Sequence, residues 1–244
     1  MRQLLILPAL MLAACGGGAS FASDGDDEGI APTGAGNGRS YAASGFEKIA
    51  LMGPDSATVQ VGPAFSVRAE GDPAVLDKLV VEVKRGGLEL RRKRSWGSGG
   101  GKGTARFTVT LPKLAKVALA GSGNMAVDRA AADAFDASVA GSGDLSIGAI
   151  ETRTLDASIA GSGDMRVGGR AETLDASIAG SGNLIAPGLT ARGADVSIAG
   201  SGGVQAKVVG DADISIVGSG DVDLGPEARC KVSKVGSGKV RCGG

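Results

Sequence analysis

The chain has 244 residues, enough for one or two domains, and contains 43 Gly, 3% aromatic residues and no His. Its 26 basic and 26 acidic residues balance to a formal net charge of zero, so global charge gives no sign of a nucleic-acid partner. Without His there is no Ser-His-Asp or Cys-His pairing, no His-liganded metal and no imidazole base near neutral pH.

Residues 1–15, MRQLLILPALMLAAC, read as a targeting segment. Arg2 supplies the basic start, and Leu4 to Met11 an apolar run too short to cross a bilayer as a helix. Leu12-Ala13-Ala14-Cys15 matches a lipobox, in which the cysteine is acylated and becomes the N-terminus after cleavage. The alternative is an ordinary signal peptide cut later, after Ala22. Gly16 after that cysteine resembles outer-membrane sorting. The expectation is a lipoprotein of the bacterial cell envelope, held to the outer membrane by a lipid on Cys15. Residues 16–44 are Gly, Ser, Ala and acid, including Asp24, Asp26, Asp27 and Glu28. They are expected to be a disordered tether, with folded structure beginning near Phe46.

Residues 45–115 read as a β-rich section without a repeat, with strand candidates rich in Val, Phe and Leu. Asp72-Pro73 before AVLDKL predicts one short helix, capped by Asp72 with Pro73 in its first turn. Lys84-Arg85-Gly86-Gly87 predicts a hairpin turn. The section would cap the first coil of the C-terminal half and shield its open edge. Between Lys78 and Lys116 there are eleven basic residues against Glu82 and Glu89. Arg91, Arg92, Lys93, Arg94 and Trp96 are the candidate patch for an anionic glycan or lipopolysaccharide. The other reading is a strand edge and loop kept soluble by charge. WGSGGGKGT has the look of a phosphate loop but fails the required spacing, because Trp96 stands where the first Gly belongs and Gly103 follows Lys102.

From residue 116 to 244 the triplet Gly-Ser-Gly recurs, starting at 121, 141, 161, 180, 200, 218 and 236. A period of about 20 residues marks a stacked repeat. Around each triplet the even offsets are apolar. Leu119, Val139, Ile159, Ile178, Ile198 and Ile216 stand two before the first Gly, and Met125, Leu145, Met165, Leu184, Val204, Val222 and Val240 four after it. The odd offsets are polar, with Asp136, Asp156, Asp175, Asp195 and Asp213 five before, and a Ser row three before. Alternation of period two means extended strand with one buried face. Each triplet is read as a corner between two short strands, with both glycines on the inward parity. The variable segments 148–154, 187–193 and 225–229 are read as exposed turns. One such unit cannot bury its own apolar face, but units stacked about 4.8 Å apart can. The fold is therefore expected to be all-β, a parallel β-helix of about seven coils. Leucine-rich and calcium-binding nonapeptide repeats are excluded by the missing helical periodicity and by the period.

Two further groups invite functional readings. The stacked Asp rows, with Asp144, Asp164, Asp221, Asn124 and Asn183 just after the corners, could bind calcium or serve as the acid pair of a polysaccharide-cleaving β-helix. They could equally accept backbone N–H bonds in the turns. Cys230 and Cys242 form an even pair once Cys15 is acylated. They are expected to bond and staple the last coil, where Lys231 and Lys239 replace Asp and Lys234 replaces Ile. Two buried free thiols are the other reading.

The tandem SIAGSGD pattern, preceded by VTLPKLAKVALAGSGN, resembles the head GIN domain family of bacterial envelopes from about Phe46 onward. The resemblance implies a β-rich front section, a right-handed parallel β-helix, the label auto-transporter adhesin, and no catalytic residues to carry over. The functional expectation is a non-catalytic, lipid-anchored envelope protein presenting the β-helix for adhesion or envelope interactions, without a cofactor or metal. The alternative is a carbohydrate-active β-helix using surface Asp pairs.

Overall fold

The computed structural model describes residues 29–93 and 103–243. Before the repeats come β1 (Pro32–Thr33), β2 (Gly38–Tyr41), β3 (Lys48–Gly53), β4 (Ser56–Val61), β5 (Ser66–Glu70), helix α1 (Pro73–Leu76), β6 (Leu79–Lys84), β7 (Gly87–Arg92) and β8 (Arg106–Leu111). The repeats supply β9 (Lys116–Gly121), β10 (Met125–Gly141), β11 (Leu145–Gly161), β12 (Met165–Gly180), β13 (Asn183–Gly200), β14 (Gly203–Val208), β15 (Gly210–Gly218), β16 (Asp221–Asp223), β17 (Ala228–Gly236) and β18 (Val240–Arg241). The strands form one 18-stranded sheet, and the repeats wind it into a β-solenoid of stacked parallel coils.

The apolar columns stack in register. Phe135, Leu155, Leu174 and Ala194 align across β10 to β13, as do Val139, Ile159, Ile178 and Ile198. All of them are buried. Removing each such aliphatic side chain from water contributes about 1.5–3 kcal/mol, and the ladder repeats this at every coil. This is why small and branched residues suffice for an interior with few aromatics.

The corners differ from expectation in one respect. The second glycine of each triplet is the buried one; the first is half-buried, or exposed at Gly236 in the last coil. Gly141 and Gly161 have φ of +124° and +129°, so a β-carbon there would strike the backbone of the preceding coil rather than enter the interior. The positive φ rotates the missing side chain along the stacking axis. A β-carbon on Gly143 or Gly163 would also collide with the carbonyl beneath it. This closeness allows two donors to share one acceptor. The Ser142 and Gly143 N–H groups donate to the Gly121 carbonyl at 2.9 and 3.0 Å, and the same pair of bonds runs from Ser162 and Gly163 to Gly141.

Of the variable segments, 225–229 keeps a turn at 226–227, whereas 148–154 and 187–193 are not simple turns. They continue the strands after a bulge and build a third ladder, in which Glu151 pairs with Arg170 and Arg170 with Thr190. Ala130, Ile150, Leu189 and Ala191 bury its inner side.

Residues 48–61 belong to the solenoid, against the reading of 45–115 as free of repeats. β3 pairs in parallel with β9, and β4 with β10. Gly53-Pro54-Asp55 makes the corner, with Gly53 opposite Gly121 and the Gly123 N–H donating to the Gly53 carbonyl at 2.9 Å. On the other side β7 pairs in parallel with β3, and β8 with β4. The coil formed first in sequence thus lies second in space. β6 then runs antiparallel on β7, and β5 on β8, covering that end. Helix α1 starts as its sequence predicts: Asp72 Oδ1 accepts the Ala74 N–H at 2.8 Å, Pro73 opens the helix, and Val75 and Leu76 are buried.

Ordered pairing also begins before Phe46. β2 pairs antiparallel with β5, β1 with β2, and the Ile30 N–H donates to the Val81 carbonyl at 2.7 Å. These are backbone bonds made by a Gly- and Ser-rich strand, which composition alone does not announce.

At the far end β17 pairs with β15, and the charges invert. Lys231 lies opposite Asp213 and Arg229 opposite Asp211, while Arg241 approaches Asp223. Cys230 and Cys242 are joined by a disulfide, with Cα atoms 6.2 Å apart.

Candidate functional site

The outer surface of the solenoid carries its polar residues in columns, one residue per coil. On the face preceding the corners the Asp column runs from Asp136 to Asp213 and the Ser column beside it from Ser138 to Ser233. Bases close the Asp column at both ends, Lys116 on Asp136 at 2.5 Å and Lys231 near Asp213 at 3.7 Å. In its middle, burial raises the pKa of the Asp156 carboxyl above the usual 3.8. The charges of Asp136 and Asp175 on either side add to this, and Lys116 opposes it. A shallow groove of about 480 Å³ lies over Asp175, Asp195 and Asp213.

The residues just after the corners act on the backbone. Asn124 Oδ1 accepts the Asp144 N–H at 3.0 Å, Asp144 Oδ1 the Asp164 N–H at 3.0 Å, and Asp164 Oδ1 the Asn183 N–H at 3.1 Å. Asp221 Oδ1 does the same for Lys239 at 2.8 Å. Each side chain satisfies the next coil. Among the described residues no group of three or more Cys, Asp or Glu side chains gathers to hold a metal ion.

Several basic residues of the front section lie beside carboxylates of the same section. Arg92 turns inward: its Nε reaches Asp55 Oδ2 at 2.8 Å, its Nη2 reaches Asp55 Oδ1 at 2.5 Å, and Nη2 also donates to the Gly103 carbonyl. Arg92 is therefore removed from the anionic-ligand patch by its own ion pair. Arg91 lies 4.0 Å from Glu82, Lys84 2.9 Å from Glu82 and Lys113 3.5 Å from Glu47. The Lys93 N–H donates to the Lys78 carbonyl at 2.9 Å. Arg94 and Trp96, like Cys15, lie outside the described residues.

A second recess lies on the third ladder, where sequence reading placed only turns. It has a volume of about 810 Å³ and spans the coils from Ala132 to Ala191. Its floor is the column Ala132, Thr152, Ala171 and Ala191, which pair one above the other. One wall is Glu151, Arg170 and Thr190; the other is Asp133, Arg153, Glu172 and Arg192. The concavity arises because this column is half-buried or buried while the columns on either side of it are exposed. The signal was present in the sequence as charge alternating at the repeat period, but the differing segment lengths, absorbed by bulges, hid the register.

A family model described as "Putative auto-transporter adhesin, head GIN domain" matches residues 45–228. No curated protein matches the chain. Among solved structures, a "putative adhesin" from Bacteroides fragilis superposes with a TM-score of 0.76 at 22% identity, over 84% of this chain and 95% of that one. A "putative lipid binding protein" from Parabacteroides distasonis gives 0.71 at 20% identity, over 88% and 99%. At these identities the likeness shows the fold.

Proposed function

The chain belongs to the family described as "Putative auto-transporter adhesin, head GIN domain", and on that premise we propose a non-catalytic, lipid-anchored protein that presents its solenoid at the outer membrane for adhesion or envelope interactions. Family membership supports a place in the cell envelope or at the cell surface. No helix among the described residues is long and apolar enough to cross a membrane. The anchor in this reading is the acylated Cys15 of the LAAC segment.

The observation that carries the non-catalytic reading is the use made of the post-corner acids. Asn124, Asp144 and Asp164 each accept the backbone N–H of the following coil, so this row serves to hold the coils together. Fractionation of cells expressing the wild type and Cys15→Ala tests the anchor. The wild type is expected in the membrane fraction with an acyl mass on its N-terminus, and the variant in the soluble envelope fraction. Unchanged partitioning without acyl mass would overturn it.

A further inference from the structure

We propose that the recess on the third ladder is a binding groove for an uncharged polysaccharide chain lying along the solenoid axis. The proposal rests on the adhesive reading above and assigns that role a surface and a ligand class. Three observations carry it.

The first is shape. The groove crosses four coils, roughly 15 Å at about 4.8 Å per coil, with a small-residue floor and long polar walls. It suits an extended chain better than a compact molecule.

The second is availability. The side chains of Glu151, Arg170, Glu172, Thr190 and Arg192 engage no other protein group among the described residues. Arg153 has only a loose contact with Asp133, at 3.9 Å and largely exposed. By contrast, the ends of the Asp column are closed by Lys116 and Lys231, and the terminal coil pairs Arg229 with Asp211 at 2.8 Å.

The third is balance. Two unpaired carboxylates, Glu151 and Glu172, and two unpaired guanidiniums, Arg170 and Arg192, lie along the walls; of the other charged lining groups, Arg153 lies 3.9 Å from Asp133 and Lys113 3.5 Å from Glu47, which stands outside the groove. Phosphates, sulfates or uronates would meet Glu151 and Glu172, and a polycation would meet Arg170 and Arg192. A sugar hydroxyl can donate to a carboxylate and accept from a guanidinium at once, and charge-assisted bonds are the stronger kind. With no aromatic residue in the lining, each site would bind weakly, and affinity would build through several repeats of one chain.

The test uses the full chain with four neutral polysaccharides (dextran, laminarin, xylan and mannan) and two anionic ones (heparin and polygalacturonate). Calorimetry and affinity electrophoresis would compare wild type, Arg170→Ala with Arg192→Ala, and Glu151→Gln with Glu172→Gln. Asp195→Asn with Ser197→Ala, on the other face, serves as control. At least one neutral polysaccharide is expected to bind. Both groove pairs should weaken it by roughly tenfold or more, and the control should not. Raising the salt should change the affinity by less than about twofold, because the groove is charge-balanced. Thermal melts establish that each variant is folded, and the two groove pairs are independent of one another. Binding to none of the neutral polymers, binding indifferent to both groove pairs, or salt-sensitive binding to the anionic polymers alone would overturn the groove. Each of these leaves the envelope reading standing if the acyl anchor is found. Release of reducing ends from a bound polysaccharide would instead overturn the non-catalytic reading while the groove stands.

Discussion

Arg92 and Asp55 form a two-pronged ion pair between strand β7 and the first corner, with the Asp55 side chain 1% exposed and that of Arg92 9%. Asp55 Oδ1 also accepts the Ala105 N–H at 2.7 Å, so one carboxylate ties the corner to both strands of the coil outside it. Removing one partner strands a buried charge, at a cost of about 3–5 kcal/mol. Arg92→Ala is expected to lower the stability measured by chemical denaturation by that much. Asp55→Ala combined with Arg92→Leu should recover part of the loss. Equal stability of the single and double variants would show that the pair itself is not what matters.

Ile159 is buried in mid-solenoid, whereas its neighbour Ser158 is half-buried on the outer face. Ile159→Asp places an unpartnered charge in the core and should cost several kcal/mol, while Ser158→Asp should cost less than about 1 kcal/mol. Chemical denaturation of both would contradict the parity assignment if the two losses were the same.

The raised pKa of Asp156 has a definite sign in stability. Between the usual 3.8 and the raised value, the folded chain holds a proton that the unfolded chain has released. Stability from this group therefore falls as pH rises through that window, and the ionised carboxylate remains a penalty above it. Asp156→Asn is expected to raise the melting temperature at neutral pH. The gain should close as the pH is brought below the ordinary carboxylate value. A variant that melts like wild type at every pH would remove the proposed repulsion with Asp136 and Asp175.

The disulfide closes the terminal coil across a separation of 12 residues. In the chain-entropy model a loop of this size is worth about 3 kcal/mol. Lys234 adds a bond from Nζ to the Gly238 carbonyl at 2.6 Å, inside a coil whose Val232 and Val235 are left exposed. Cys230→Ser with Cys242→Ser should therefore lose amide-exchange protection over residues 228–243 first, with β11 and β12 holding theirs. Uniform loss along the solenoid would mean that the staple acts globally.

Sequence by itself determined the solenoid. Each coil touches its neighbours at a fixed offset, so the period of Gly-Ser-Gly, the Ile and Leu columns and the outward Asp and Ser rows all carry the three-dimensional register in one dimension. It also placed the helix cap at Asp72 and brought Cys230 and Cys242 under suspicion as a pair. Only the tertiary structure decided what breaks that one-dimensional rule. Residues 48–61 form a coil that the chain leaves, passes by on its far side, and returns to, so Gly53 meets Gly121 across a stretch that shares no period with the repeats. Asp55 meets Arg92 across 37 residues, and no local pattern links an acid to a base at that distance. The groove walls, with Glu151 beside Arg170 and Arg170 beside Thr190, emerge only after bulges realign segments of unequal length. Columns at constant spacing are legible because stacking is local; pairings that depend on loop length and winding order require the folded chain.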